Sequence, residues 1–416
     1  MYNIGIIMGG VMPVPAVCGG AIETLITSVV KRYSKEDGLK LTVFSVYHKE
    51  AVKAAEKYPE VRFVWTHTNT FWNLAKHAVF MAVRALSGRT IRTLQRHYNE
   101  IAPVITNEKF DLLIVEGGDE QAVIDIAKGY KREQLVFHAH IHFIPSEKTA
   151  DGFGHMIGVS DFVTREYQKA CKTPVKAYTL KNAIDRDKFN KEVTEDERKE
   201  IRKKLGLAEE DFVILFVGRI MQIKGVRELI EAIIGLKDKH IKLMIIGSAN
   251  FGKTAFSPYA IKVKNLAEEN RERIIFTGYV DNSEVYKYAA AADVQCVPTL
   301  AEEAAGLVIL EAMTEGLPLI VTKSGGVTEY IDDTVALIIE RDGIAENLKN
   351  AICYLKDNPE LRNQMSKNAK IQSKKYGEET YYKNFVKTVY EIIEENKIGE
   401  KGNMNSRIYD FPEESV

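Results

Sequence analysis

Cysteine is scarce in this chain of 416 residues. Its four copies, Cys18, Cys171, Cys296 and Cys353, never fall at CxxC or zinc-ligand spacing. That excludes a disulfide framework and a cysteine-built metal site, and it fits a reducing compartment. Long apolar runs are also missing: none reaches the roughly 18 residues of a membrane-spanning helix. The opening Met1-Tyr-Asn-Ile-Gly-Ile-Ile-Met8 has no basic segment and no extended apolar core. It reads as a first strand rather than a secretory signal. An excess of either charge is lacking too. Lys+Arg number 57 against 58 Asp+Glu, a net charge of -1, so no whole-chain case for nucleic acid exists. The expectation is a cytoplasmic protein, at most resting on the inner face of a membrane.

What is present is alternation. The length predicts two domains of roughly 150–200 residues each. Short apolar runs at Ile4–Met8, Leu41–Tyr47, Val61–Thr66, Leu112–Val115 and Leu135–His140 are separated by amphipathic stretches, notably Ala21–Tyr33 and Gln121–Tyr130. A second alternation has runs at Phe212–Val217, Lys242–Ile246, Ile274–Thr277, Val294–Val297, Leu319–Thr322 and Val335–Ile339. Both patterns predict a parallel sheet covered by helices, with ligands outside the carboxyl ends of the strands. The charged stretch Lys191–Lys204 after Asn182-Ala-Ile-Asp185 reads as the connection between domains.

Four constellations carry chemistry. In the first, Glu303-Ala-Ala-Gly-Leu-Val-Ile-Leu-Glu311 follows a strand that ends at Pro298-Thr299. Here a loop becomes a helix, and Gly306 permits close backbone approach, as a diphosphate site requires. In the second, Val217-Gly-Arg-Ile-Met-Gln-Ile-Lys-Gly225 leaves a strand with Arg219 and Lys224, cations able to neutralise a diphosphate. The third joins the first strand to the first helix and contains Gly19-Gly20, whose amides can face an anion. The fourth, Leu135-Val-Phe-His-Ala-His140-Ile-His142, has histidines at alternate positions. Such a set also resembles a metal-ligand pattern; no carboxylate or cysteine lies close in sequence, though distant residues could supply one. Each motif has a plainer alternative: solvated helix carboxylates, surface cations, an ordinary strand-to-helix turn, and packed histidines.

Taken together, these motifs resemble the family 4 glycosyltransferases of the GT-B fold. The register of Glu303 and Glu311, the following Ala-Met and Gly-Leu-Pro318, the Gly-Arg219 and Lys224-Gly pairs, and Gly19-Gly20-x-x-Glu23 carry the resemblance. It implies two doubly wound, Rossmann-like α/β domains facing across a cleft. Their expected spans are 1–182 on the acceptor side and 183–374 on the nucleotide-sugar side. A C-terminal helix over 375–396 packs back on the first domain, and a mobile tail covers 397–416. The resemblance also implies roles. Glu303 and His140 contact the donor sugar, with His138 the second choice. Glu311 binds the ribose, and the Gly306-Leu307 backbone faces the diphosphate. Arg219, Lys224, Gly19 and Gly20 meet the phosphates. The implied activity is retaining, metal-independent transfer from a nucleotide-diphosphate sugar, UDP favoured, to a glycan or lipid-linked glycan in surface polysaccharide or glycoconjugate synthesis. No cofactor is expected. The alternatives are a related sugar-nucleotide epimerase or phosphorylase, and a P-loop NTPase.

Two further motifs compete with this assignment. Gly247-Ser-Ala-Asn-Phe-Gly-Lys253-Thr254 fits the Walker A pattern, but its helix is expected after Ser257-Pro258, not at Lys253. Asp185-Arg-Asp187 is a DxD that reads as one structural and one solvated carboxylate. Finally, Val61 to Asn99 contains no acidic residue, while Arg62, Lys76, Arg84, Arg89, Arg92, Arg96, Trp65 and Trp72 lie within it. The segment 62–96 suits an anionic membrane surface or a lipid-diphosphate acceptor, or else a core-packed helix pair with a basic edge.

Overall fold

A computed structural model describes residues 1–68, 75, 78–79, 81–82, 86, 96–142, 144, 146–248 and 257–407. The chain divides into two compact units, Met1–Lys181 with Glu378–Val416, and Asn182–Gly377.

The first unit is built on seven strands: β1 (Tyr2–Met8), β2 (Leu39–Val46), β3 (Arg62–Thr66), β4 (Leu112–Glu116), β5 (Leu135–Ala139), β6 (His155–Gly158) and β7 (Lys176–Thr179). They form a parallel sheet in the order β3-β2-β1-β4-β5-β6-β7. The five apolar runs are all strands. The last two strands are four residues each and carry His, Lys and Thr, so no run announced them. The order reverses direction between β1 and β4. Such sheets bind ligands at this reversal, outside the carboxyl ends of the strands.

The second unit has six: β8 (Phe212–Val217), β9 (Ile241–Ile246), β10 (Ile274–Gly278), β11 (Val294–Val297), β12 (Leu319–Thr322) and β13 (Ala336–Ile339). The order β10-β9-β8-β11-β12-β13 reverses between β8 and β11. Strand β8 explains its own composition. Val213 and Leu215 enter one buried cluster, while Phe212, Ile214 and Phe216 enter another. Successive side chains point to opposite faces and both faces are covered, so the strand is apolar throughout.

Two boundary expectations change. Within the charged stretch, Glu195–Lys204 is a helix of the second unit, not a connection. Thr194 and Glu197 form its capping box. Arg202 is only 4% exposed and donates to the carbonyls of Ala291, Ala208 and Asp211. The last helix extends from Glu378 to Arg407, beyond the expected tail boundary at residue 397. Lys31 and Arg32 pair with Glu378, Tyr390 donates to the Asp37 carbonyl at 2.6 Å, and Asn396 to that of Glu133 at 2.8 Å. Lys397 pairs with Glu394 one turn earlier and lies over the Tyr2 ring, which continues the helix past that point.

Candidate active site

In the second unit, the loops leaving β8 and β11 are clamped together. Thr299 Oγ1 donates to the Ile223 carbonyl at 3.0 Å, and the Leu300 amide donates to the same oxygen at 2.8 Å. Gly225 has φ 68°, and a Cβ there would stand 1.8 Å from the Pro298 carbonyl oxygen. Only glycine lets the two loops approach this closely. The approach places Lys224 Nζ 2.7 Å from Glu303 Oε1. Arg219 is exposed on the same β8 loop.

A second clamp comes from the loop after β12. Ser324 Oγ accepts the Glu303 amide at 3.1 Å and donates to the Ala301 carbonyl at 2.7 Å. The Gly326 amide donates to the Glu303 carbonyl at 2.9 Å. Neighbouring Glu302 turns the other way, pairing with Arg341 and accepting the Gly325 amide. Ser324, Glu302 and Arg341 are given no role by the sequence motifs.

Gly306 caps the helix Leu307–Glu315, so the first amides of that helix open beside Glu303 in the chain. Glu311 lies one turn before Glu315 on this helix. Both are partly buried. Burial pushes the Glu311 carboxyl up to about 7, against a lowering by the Lys188 charge. Burial, aided by the Glu311 charge, pushes Glu315 up to about 8.

In the first unit, Gly19 and Gly20 have φ 79° and 97° and lead into the helix Ala21–Arg32. The site beneath them holds a carboxylate. A Cβ on Gly20 would stand 2.1 Å from Glu23 Oε2. Burial raises the Glu23 pKa, and a bond to its own amide lowers it. The loops after β1 and β4 also touch. Gly118 has φ 94°, and its Cβ would meet Gly9 Cα at 2.8 Å.

The histidine run acquires a partner that its sequence neighbourhood did not contain. Glu116 ends β4, and its Oε2 lies 2.5 Å from His140 Nε2 and 3.0 Å from His138 Nδ1. These three residues each offer a ligand atom within 4.8 Å of the others. The carboxylate comes from a residue distant in sequence, because the parallel pairing of β4 with β5 brings Glu116 in. Burial would raise the Glu116 pKa. The charge and hydrogen bond of His138, then those of His140, outweigh it and hold the carboxyl near about 2. His140 is pushed below its ordinary value by burial and then by His138, against Glu116. His142 stands apart, 4.8 Å from the Phe162 ring centroid, because the strand stops at Ala139.

Of the two competing motifs, the helix beyond Gly247-Ser248 begins at Pro258 with Ser257 as its cap, four residues after Thr254. A P-loop needs it at Lys253-Thr254, and residues 249–256 lie outside the described ones. Asp185 precedes the short helix Arg186–Phe189, and Asp187 is exposed. Trp72, Lys76, Arg84, Arg89 and Arg92 of the basic segment also lie outside the described residues. Of the rest, Arg62 pairs with Glu108, and the Trp65 ring stacks on Phe63 at 5.2 Å.

Residues 197–372, which hold Arg219, Lys224, Glu303 and Glu311, match the family described as glycosyl transferases group 1. A Bacillus subtilis relative, YtcC, itself provisionally named a glycosyltransferase, is 25% identical over 389 residues, 92% of this chain and 90% of its own. The chain is a glycosyltransferase of the GT-B fold. A second relative of this glycosyltransferase is the lipopolysaccharide 1,2-N-acetylglucosaminetransferase of Salmonella typhimurium. It is 27% identical over 245 residues, 58% of this chain and 62% of its own. Among solved structures, Anabaena HepE in complex with UDP superposes with a TM-score of 0.69 at 19% identity, covering 94% of this chain and 100% of that one. That likeness supports the fold of the glycosyltransferase. No described helix is long and apolar enough to cross a membrane.

Proposed function

We propose that this glycosyltransferase moves a sugar from a nucleoside diphosphate, UDP favoured, to a hydroxyl of a glycan or lipid-linked glycan, with retention and without a metal, in surface polysaccharide or glycoconjugate synthesis. The observation that carries the reading is the Lys224–Glu303 contact at the β8/β11 reversal, beside a helix N-terminus. It puts a cation for phosphate next to a carboxylate for sugar hydroxyls, at the place where such sheets bind nucleotides.

In this reading Arg219, Lys224 and the amides at Gly306-Leu307 take the diphosphate, Glu311 the ribose, and Glu303 the sugar. Gly19-Gly20 and His140 serve the donor from the first unit. The bond from the anomeric carbon to the diphosphate oxygen breaks while the acceptor oxygen bonds on the same face. The acceptor proton passes to the departing diphosphate, and the cations stabilise the charge that develops there. Relatives and fold neighbours support the donor class: HepE was solved with UDP and with UDP-glucose, and the Salmonella relative is named for transfer to lipopolysaccharide. We place the enzyme in the cytoplasm, at the inner membrane face if the basic 62–96 segment contacts anionic lipid or a lipid-linked acceptor.

The test is nucleotide release from UDP-glucose, UDP-galactose, UDP-N-acetylglucosamine and GDP-mannose, each with a panel of glycoside acceptors. The anomeric configuration of any product is read by NMR. An α-linked product from an α-linked donor supports the reading. An inverted product, or epimerised donor with no product, overturns it.

A further inference from the structure

The first unit holds an anion that the scheme above does not use. Glu116 is fully buried, as is His138, while the His140 side chain is 7% exposed. Among the described residues no Lys or Arg side chain pairs with this carboxylate. Among the described residues, its charge is met by the two imidazoles. A carboxylate kept ionised in such surroundings is unusual outside functional sites.

We infer that Glu116 is a positioning residue that fixes the His140 ring in one tautomer, so that His140 meets a substrate hydroxyl as a hydrogen-bond acceptor. The inference rests on the transferase reading above and adds a residue to it. An ionised carboxylate can only accept. His140 Nε2, 2.5 Å from Glu116 Oε2, must therefore carry a hydrogen and donate it. His138 Nδ1, 3.0 and 3.2 Å from the two carboxylate oxygens, must do the same. In neutral His140 the lone pair then falls on Nδ1. His138 holds the far side of the carboxylate, and its own Nε2 is buried without a partner. It steadies Glu116 and offers nothing outward. The two rings lie with centroids 4.0 Å apart, so neither turns independently. The arrangement is the familiar one in which a carboxylate selects a histidine tautomer.

The same three residues would also suit a divalent cation, and the zinc arm of the experiment separates the two. Nitrogen and oxygen ligands at roughly 2.0–2.1 Å from a tetrahedral zinc stand roughly 3.3 Å apart. The separations of 2.5 and 3.0 Å are those of a shared proton.

The experiment uses the full chain labelled with 15N-histidine. Wild type is expected to show His140 protonated at Nε2 and bare at Nδ1. In Glu116→Gln, whose amide must donate to one ring, that preference is lost, and sugar transfer falls at least tenfold with the donor KM within threefold. Glu116→Asp keeps the charge and is expected to recover part of the turnover. UDP should stabilise both variants thermally as it does wild type, showing that they are folded. An Nδ1–H tautomer in wild type overturns the inference. So do unchanged His140 signals in Glu116→Gln, or a wild-type thermal shift with one equivalent of zinc that Glu116→Gln abolishes. Failure of UDP to stabilise wild type would instead sink the donor-site reading, while the tautomer still decides the role of Glu116.

Discussion

Lys224 Nζ lies 2.7 Å from Glu303 Oε1, two residues 79 positions apart that a single glycine, Gly225, brings into contact. Each is the other's charge partner, and each has a different task in the proposed reaction. Removing them should therefore have different consequences. Lys224→Ala is expected to reduce stabilisation by UDP and to lower transfer by about 10²-fold or more, the usual scale for losing one group that stabilises developing charge. Glu303→Gln should leave UDP stabilisation near wild type and lower transfer comparably, because it addresses the sugar. Thermal shift with UDP and turnover, measured on both variants, check this. Identical losses of UDP binding would count against the division of roles.

Gly225→Ala tests the clamp itself. The left-handed backbone and the 1.8 Å approach to Pro298 O leave no room for a methyl group. Strain of this kind costs about 1–3 kcal/mol. The expected result is an earlier urea transition for the second unit, with transfer falling more than stability alone explains. Gly343→Ala, also at φ 67° but with nothing within 4 Å of its would-be Cβ, is the control and should cost less.

The Glu311–Glu315 pair predicts a pH dependence of stability. Burial raises both carboxyls from 4.5, to about 7 and about 8. The folded state thus holds protons that the unfolded chain releases. This contribution is complete below about pH 4.5 and is lost as pH rises through 7 and 8. Glu315→Gln should match wild type near pH 5 and melt at a higher temperature at pH 8. Equal melting of the two proteins at pH 8 would show that Glu315 titrates normally.

Arg202 predicts a stability effect without a functional one. Its guanidinium serves three carbonyls and is nearly inaccessible. Arg202→Ala removes these hydrogen bonds from a buried site and should cost about 3 kcal/mol or more. Urea unfolding checks the cost, and UDP binding by the fraction that stays folded should be unchanged.

Much of the fold was legible because buried parallel strands write themselves as apolar runs, as Phe212–Val217 does by filling two clusters from one strand. The charged helix Glu195–Lys204 was misread as a connection. Its composition is polar, and the burial of Arg202 depends on carbonyls that sequence does not locate. The motifs around Glu303 and Lys224 were readable one by one, but their contact was not, since it depends on the approach of two loops. Glu116 was missed altogether. Its signal was present, a carboxylate ending the apolar run Leu112-Leu-Ile-Val, but only the pairing of β4 with β5 gives that residue a partner.

The most direct test of the central claim is a thermal-shift comparison of UDP, GDP, ADP and ATP, with and without EDTA, on wild type, Lys224→Ala and Glu311→Ala. The account predicts stabilisation of wild type by one nucleoside diphosphate, UDP first, unaffected by EDTA, reduced in Lys224→Ala and lost in Glu311→Ala. Stabilisation by ATP alone, dependent on magnesium and indifferent to Lys224 and Glu311, would contradict it.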